Sequence, residues 1–323
     1  MKNVCVIGYG AIGPIHADAL EQVKNARLYG VCDIDPEALK HAKEDYPDIV
    51  CYDNYEDVLK DENVHSVHIC TPHYLHAPMV KSALKANKEI ICEKPIAITR
   101  DEFEDLLLTP GIEKVALVFQ NRLNPCAVKL KEIIKSGELG ELKATKALVT
   151  WCRDKSYYDS GEWRGKWATE GGGVLINQSI HTLDILCYLG GEVVDVDANM
   201  HNYSLKNVIE VEDTCTARLK YKNGNVGIFF ATNAYSHTNF PQIEFVFENK
   251  TVRYMEQGLY VGDKKKASDE MAVYGKACWG VGHLGLFVNY YDKGEYFDIY
   301  SAKNTMETMY SIYEKSLKGG KVE

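Results

Sequence analysis

The chain has 323 residues, too many for one hydrophobic core of ordinary size, so two domains are expected. With 46% hydrophobic and 26% charged residues it reads as globular, and a formal net charge of −9 without any Lys/Arg-rich run argues against nucleic acid as a partner. No apolar run approaches the roughly 18 residues of a membrane span, and the opening MKNVCVIGYG reads as a strand and a glycine turn rather than a signal peptide, so a cytoplasmic location is expected.

Residues 4–7, 28–32, 67–70, 89–92 and 115–119 are short runs rich in Val, Ile and Cys, as strands covered on both faces require. Between them, 12–23, 36–46, 55–60, 77–86 and 100–107 carry helical spacing, with Pro36 and Pro78 in first-turn positions. This alternation predicts a doubly wound parallel sheet. Four of the ten cysteines, Cys5, Cys32, Cys70 and Cys92, sit in those strands, and no CxxC pair occurs, so reduced thiols and no metal are expected.

The pattern changes near residue 122. Residues 124–135 predict a helix ended by Gly137, 142–151 a strand, and the stretch from Trp151 to Trp167 an aromatic loop. Gly171, Gly172 and Gly173 lead into a helix reaching about residue 187. Residues 193–203, 214–221, 226–232, 243–247 and 251–255 then read as antiparallel strands, with Asn223-Gly224 as a hairpin turn, and 302–316 as a closing helix. The implied boundaries are 1–121 for a dinucleotide-binding domain and 122–323 for a substrate domain, whose last helix is free to pack back on the first.

Gly8-Tyr9-Gly10-Ala11-Ile12-Gly13 comes directly after the first strand. Gly8 permits the tight turn, Gly10 lets the backbone approach a pyrophosphate, and Gly13 lets the helix pack on the sheet, with Ala11 and Ile12 between them. Asp33 ends the second strand 20 residues after Gly13, placed to accept from ribose hydroxyls. Ile34-Asp35-Pro36 offers no cation for a 2′-phosphate, which favours NAD over NADP.

Ile91-Cys92-Glu93-Lys94-Pro95 closely resembles the EKP motif of the glucose–fructose oxidoreductase, inositol dehydrogenase and rhizopine-catabolism (Gfo/Idh/MocA) family. Thr71-Pro72-His73-Tyr74-Leu75-His76 resembles its TPNxxH segment, Gln120-Asn121-Arg122 its domain junction, and the run from Gly171 through Asn177 and His181 to Asp184 its GGG…H…D helix. Residues 282–316 resemble its closing pattern. The resemblance implies an α/β Rossmann domain followed by an α+β domain with a large, mostly antiparallel open sheet, through which homodimers or tetramers form. It also implies a cis Lys94–Pro95 bond that aims the lysine, and cofactor contacts from Thr71, Pro72, His76, Glu93, Lys94 and Gln120.

Alcohol oxidation needs hydride transfer to a nicotinamide and removal of a hydroxyl proton, and the protein handles the proton. Lys94, past the end of a strand, is one candidate; without the family pattern Glu93–Lys94 reads as a surface ion pair. His181 is the other, with Asn177 and Asp184 at helical spacing on one face. Inositol dehydrogenase-like members place Asp where this chain has Asn177, so the charge expected behind His181 is missing. Arg122, Trp163, Arg164 and His283 complete the expected substrate contacts, and the aromatic, cationic loop suits a sugar ring as well as it suits a small satellite core. His73 and His76 lack a third metal ligand. The expectation is an NAD(H)-dependent dehydrogenase for a secondary alcohol of a sugar, sugar derivative or cyclitol. The alternatives are a redox-neutral glycoside-cleaving enzyme of the same fold and a non-catalytic NAD-binding regulator.

Overall fold

The computed structural model describes residues 1–269 and 276–317. The chain divides into two compact units, Met1–Gln120 with the described part of Ala272–Tyr300, and Asn121–Met271 with the described part of Ser301–Glu323.

The first unit is built on six strands, β1 (Lys2–Ile7), β2 (Ala26–Cys32), β3 (Val50–Tyr52), β4 (Ser66–Ile69), β5 (Glu89–Cys92) and β6 (Val115–Leu117). They pair parallel in the order β3-β2-β1-β4-β5-β6, so the sheet changes direction between β1 and β4. Val4, Cys5 and Val6 are fully buried, as a central strand covered on both faces requires. Register brings the strand ends into line. Ile7 pairs with Cys32 and Ile69, Ile69 with Cys92, and Cys92 with Leu117, so five strands end level. Gly8, Asp33, Cys70 and Glu93, each one residue further on, therefore share one edge of the sheet.

Helices α1 (Gly13–Leu20), α2 (Pro36–Asp45), α3 (Tyr55–Lys60), α4 (His76–Lys85) and α5 (Arg100–Leu107) alternate with these strands. Asp35, Asn54 and Thr99 cap α2, α3 and α5 by accepting from N–H groups of the first turn. β3 is short, and Val50 and Cys51, two of its three residues, are exposed, so it lacks the buried character of the other strands in this sheet.

The second unit opens with α6 (Pro125–Ser136), which Gly137 ends in the left-handed conformation. β7 (Leu142–Thr150), α7 (Lys155–Asp159) and α8 (Ile180–Gly190) come next. After them lie β8 (Val193–His201), β9 (Thr214–Tyr221), β10 (Val226–Thr232), β11 (Gln242–Phe247), β12 (Thr251–Met255), β13 (Gly258–Val261) and β14 (Lys264–Ala267). These strands form one open sheet in the order β14-β13-β12-β11-β7-β10-β9-β8, antiparallel except for β7 with β10. α8 packs on β7. Cys215, Ala217, Leu219 and Tyr221 of β9 and Phe229 and Ala231 of β10 are buried, while Arg218, Lys220 and Ile228 between them are exposed.

Two later helices, α9 (Lys276–Val288) and α10 (Ile299–Leu317), fall to different units. α9 packs on α1, and Leu117 N–H donates to the Phe297 carbonyl, so this late segment completes the first unit. From Ser301 onward α10 clusters with the second unit. The single boundary at 121/122 thus becomes three crossings of the chain, because residues 272–300 return to a unit that the chain left after Gln120. Nine described cysteines are free, and no helix among the described residues is long and apolar enough to cross a membrane.

Candidate active site

In the first unit, Gly8 stands at φ +93°, and a Cβ there would lie 2.7 Å from the Cys70 carbonyl oxygen, so only glycine fits. A Cβ on Gly13 would run into the Gly8 carbonyl, which seats α1 against the turn. Gly10 differs: it is exposed, and nothing lies within 4 Å of where its Cβ would be. The first turn of α1 has no side-chain cap, and Ala11 beside it is exposed. Uncapped N–H groups with room above them fit a pyrophosphate. Asp33 accepts from Tyr9 N–H at 2.6 Å and from Asp35 N–H at 2.9 Å, so it braces the glycine turn while remaining partly exposed. Lone pairs are left for ribose hydroxyls.

The neighbouring loops are tied together by His76, buried with Nδ1 2.6 Å from the Pro95 carbonyl and Nε2 2.7 Å from that of Thr71. Burial pulls its pKa down, against the pull of both carbonyl acceptors, which favour the protonated ring. Thr71 Oγ1 donates to Met79 Sδ at 3.5 Å, Pro72 is partly exposed, and His73 is buried beside His76. The Lys94–Pro95 bond is cis, and Lys94 itself is partly exposed. Gln120, the last residue of this run, keeps a buried Oε1 with no hydrogen-bond donor, an acceptor in keeping with a polar ligand.

Glu93 sits at the end of a buried chain of rings. Its Oε1 accepts from His16 Nε2 at 3.1 Å and from His283 Nε2 at 2.9 Å, and its Oε2 accepts from Lys94 N–H at 3.2 Å. Burial alone would raise the Glu93 pKa, but the two imidazole donors outweigh it and hold the carboxyl well below its usual range. Burial pushes His16 down to about 4, so it is neutral. With the proton on Nε2, His16 Nδ1 must accept, and His68 Nδ1 donates to it at 3.1 Å. His68, also held well below its usual value by burial, accepts at Nε2 from Tyr291 Oη at 2.9 Å, and Tyr291 accepts from Ser66 Oγ at 2.7 Å. The ionised Glu93 thereby sets every tautomer along the chain. His16, Glu93 and His283 bring potential ligand atoms within 4.8 Å of one another, and hydrogen bonds already account for those atoms.

These contacts place two of the expected site residues. Glu93, expected at the nicotinamide ribose, is buried with three N–H donors of its own unit. His283, expected as a substrate contact, is wholly buried on Glu93.

In the second unit the glycine run wraps a buried acid that no local sequence pattern singles out. Glu212 accepts from Gly173 N–H at 2.9 Å, Leu175 N–H at 3.0 Å and Tyr313 Oη at 3.0 Å, and burial pushes its pKa up to about 7. Residues 174–178 then make one wide turn, with Ser179 N–H donating to the Val174 carbonyl at 2.9 Å, before α8 begins. From Glu170 to Cys187 every residue is buried except Asn177 and His181. Asn177 Nδ2 donates to Glu170 Oε1 at 2.5 Å, so the carboxylate missing at position 177 stands directly behind it. Glu170 also accepts from Gly165 N–H.

Asp184 and Arg122 do not join this open pair. Arg122 grips Asp184 through Nε at 2.8 Å and a terminal nitrogen at 2.6 Å, Thr305 Oγ1 donates to the same carboxylate at 2.7 Å, and both charges are buried. Together they tie the start of α10 to α8, a buried ion pair rather than an exposed one. The loop from Trp151 to Trp167 contains α7. Tyr157 Oη is its hub, taking donors from Arg164 at 2.5 Å, Gln178 at 3.0 Å and Asn177 at 3.3 Å, while Arg164 stacks on Trp163 at 4.6 Å.

The family model for an oxidoreductase family with an NAD-binding Rossmann fold, Gfo/Idh/MocA, matches residues 2–116, and that for the Gfo/Idh/MocA C-terminal domain matches residues 127–253. An uncharacterized oxidoreductase of Bacillus subtilis, YrbE, is 28% identical over 229 residues, 69% of this chain and 64% of its own length, so the match spans less than two thirds of that relative. Myo-inositol 2-dehydrogenase of Thermotoga maritima is 27% identical over 232 residues, 70% of this chain and 67% of its own length. The WlbA dehydrogenase of Bordetella pertussis, solved with NADH and UDP-GlcNAcA, superposes with a TM-score of 0.88 at 25% identity, covering 99% of this chain and 97% of that one.

Proposed function

The chain belongs to the Gfo/Idh/MocA family of NAD-binding oxidoreductases, and from that membership we propose that it transfers hydride between NAD(H) and a secondary alcohol of a sugar, sugar derivative or cyclitol. Bound NAD supplies the hydride acceptor. The turn from Gly8 to Gly13 holds its pyrophosphate and Asp33 its adenosine ribose, and the absence of a cation in Ile34-Asp35-Pro36 makes NAD the preferred form.

The protein's own task is the proton. His181 takes it from the substrate hydroxyl, and Lys94 is the second candidate to carry or stabilise charge on the reacting oxygen. The observation that carries this reading is the open pair Asn177 and His181 on an otherwise buried run, with Glu170 behind it. Copies of the chain assemble through the outer face of the second unit's sheet.

The purified protein with NAD is screened against aldoses, sugar acids, glycosides and inositols, tracking NADH absorbance and sugar products. Sustained, substrate-dependent NADH formation is expected. Cleaved glycoside without accumulating NADH would move the reading to a redox-neutral lyase, and tight NAD binding without any turnover would move it to a regulator.

A further inference from the structure

We propose that the sugar carries an anionic group, a carboxylate or a phosphate, and that Arg153 and Arg164 of the second unit receive it; this rests on the dehydrogenase reading above and names its substrate class. Both guanidiniums lie against the ring of Tyr157, Arg153 at 4.9 Å and Arg164 at 4.5 Å from its centroid. Each also rests on a tryptophan, Arg153 on Trp151 at 4.9 Å and Arg164 on Trp163 at 4.6 Å. Aromatic faces on these planes hold them flat and restrict their rotation, leaving the N–H fork presented in advance.

What these arginines lack is a counter-charge. Arg153 donates to the Cys152 carbonyl at 2.7 Å and to Thr238 Oγ1 at 3.4 Å, and Arg164 to Tyr157 Oη at 2.5 Å. All three acceptors are neutral. Among the described residues neither guanidinium is paired with a carboxylate, and both Nε atoms are buried without an acceptor. The chain carries 46 acidic against 37 basic residues, and it provides partners elsewhere. Arg122 has Asp184, Arg218 has Asp197 and Arg253 has Asp263.

Three acids near the loop are engaged with other groups, and Glu162, exposed on the loop, makes no ion pair with either arginine. Asp154 accepts from Ser156 Oγ and Tyr157 N–H, Asp159 pairs with Lys155, and Glu170 serves Asn177 and Gly165. Two adjacent cations left without a charged partner, with partly buried donors, are costly to keep unless a ligand supplies the acceptors. The cradle also has a fixed address. Tyr157 Oη, on the ring against which both arginines lie, accepts from Asn177, one turn before His181. An oxyanion on the arginines therefore belongs to the molecule that Asn177 and His181 face.

The test compares each acidic sugar with its neutral parent: glucuronate with glucose, galacturonate with galactose, mannuronate with mannose, and the 6-phosphates of the three aldoses. Turnover is read from NADH, and binding to the NADH-loaded protein from calorimetry. At least one acidic form is expected to exceed its neutral parent in kcat/KM by about ten-fold or more, the scale of one charge-assisted contact. Arg153→Gln and Arg164→Gln should each bring that ratio close to one, mainly through KM. Arg153→Lys, which keeps the charge and loses the fork, should give an intermediate ratio, and it guards against a glutamine variant that fails to fold. Whether uronates or phosphates gain decides between the two oxyanions. NADH from neutral sugars with no preference for any acid, or a preference that survives both glutamine variants, would overturn the inference and leave the dehydrogenase standing. Arginine-dependent binding of acids with no NADH from any sugar would do the reverse. Neither binding nor turnover of an acid would remove the anionic substrate.

Discussion

The donors on Glu93 decide the charge of the rings packed around it. An ionised carboxylate satisfied by neutral imidazoles stays intact only while those rings stay unprotonated, and His16, His68 and His76 are all held below the usual imidazole pKa by burial. In the unfolded chain the same rings take up protons near pH ~6.5. For these rings the unfolded state binds more protons between about pH 6.5 and 4, so their contribution to stability falls as pH falls through that window. For His16, whose pKa drops to about 4, the contribution lost is on the order of 3 kcal/mol. Denaturant unfolding monitored by circular dichroism at steps from about pH 7.5 down to about pH 4.5 should show that decline in a Glu212→Gln background, which removes the opposite gain from an acid whose pKa burial raises to about 7. His68→Phe removes one titration and should flatten it, whereas an unchanged slope would dissociate His68 from the effect. Asp33, Lys94 and His181 are legible as candidates because each sits at a motif position. His16, His68, Glu170 and Glu212 are not. Three of them take their meaning from partners 37 to 223 positions away, and Glu170 from the depth of a turn; no local spacing records either.

The glycines that mark two of these elements are there for opposite reasons. At Gly173 a Cβ would run into the Glu212 carbonyl oxygen and meet Val211 Cγ2 at 3.0 Å, so alanine forces the backbone to shift. That shift breaks the hydrogen bonds from Gly173 and Val174 to Glu212, on the wide turn that presents Asn177. At Gly10 a Cβ would meet nothing. Gly173→Ala is therefore expected to cost about 2–4 kcal/mol and lower the melting temperature, while Gly10→Ala should melt as the parent does and bind NAD about ten-fold more weakly or worse. Calorimetry and NADH fluorescence read the two effects apart, and a Gly10→Ala protein with normal affinity would take the pyrophosphate away from this turn. Elements with strong periodicity or apolar runs, such as β1, β5, β9, α3 and α5, are legible in the sequence to within about two residues. β13, a four-residue strand opened by Gly258, and β14, which is Lys264-Lys265-Lys266-Ala267, carry no strong periodicity; β13 exists because β12 offers an edge to pair with, and β14 because β13 offers the next. The wide turn is indistinguishable from ordinary helix in the sequence, because Val-Leu-Ile-Asn-Gln serves both equally well.

Local patterns cannot report how the chain closes on itself, and the return of residues 272–300 to the first unit belongs to that class: nothing in their composition names α1 as the surface they cover. The outer face of the second sheet poses the same question for assembly. Ile228 lies near its middle on β10, 57% exposed, in register with Lys146 on β7 and Arg218 on β9. Those two cations are already paired inside the chain, Lys146 with Glu244 at 3.0 Å and Arg218 with Asp197. An apolar side chain flanked by internally neutralised charges costs little to desolvate against a second copy, whereas an acid in its place would put an unpaired charge into the contact. Light scattering on a sizing column should therefore show a dimer or tetramer at micromolar concentration, and Ile228→Glu should shift it towards monomer without lowering the melting temperature of the unit that carries it, since the side chain faces outward. A parent chain that runs as a monomer at tens of micromolar would remove this face as an assembly surface. A variant that stays assembled would move the contact to another part of the molecule and leave Ile228 as an isolated exposed residue of the kind every protein surface carries.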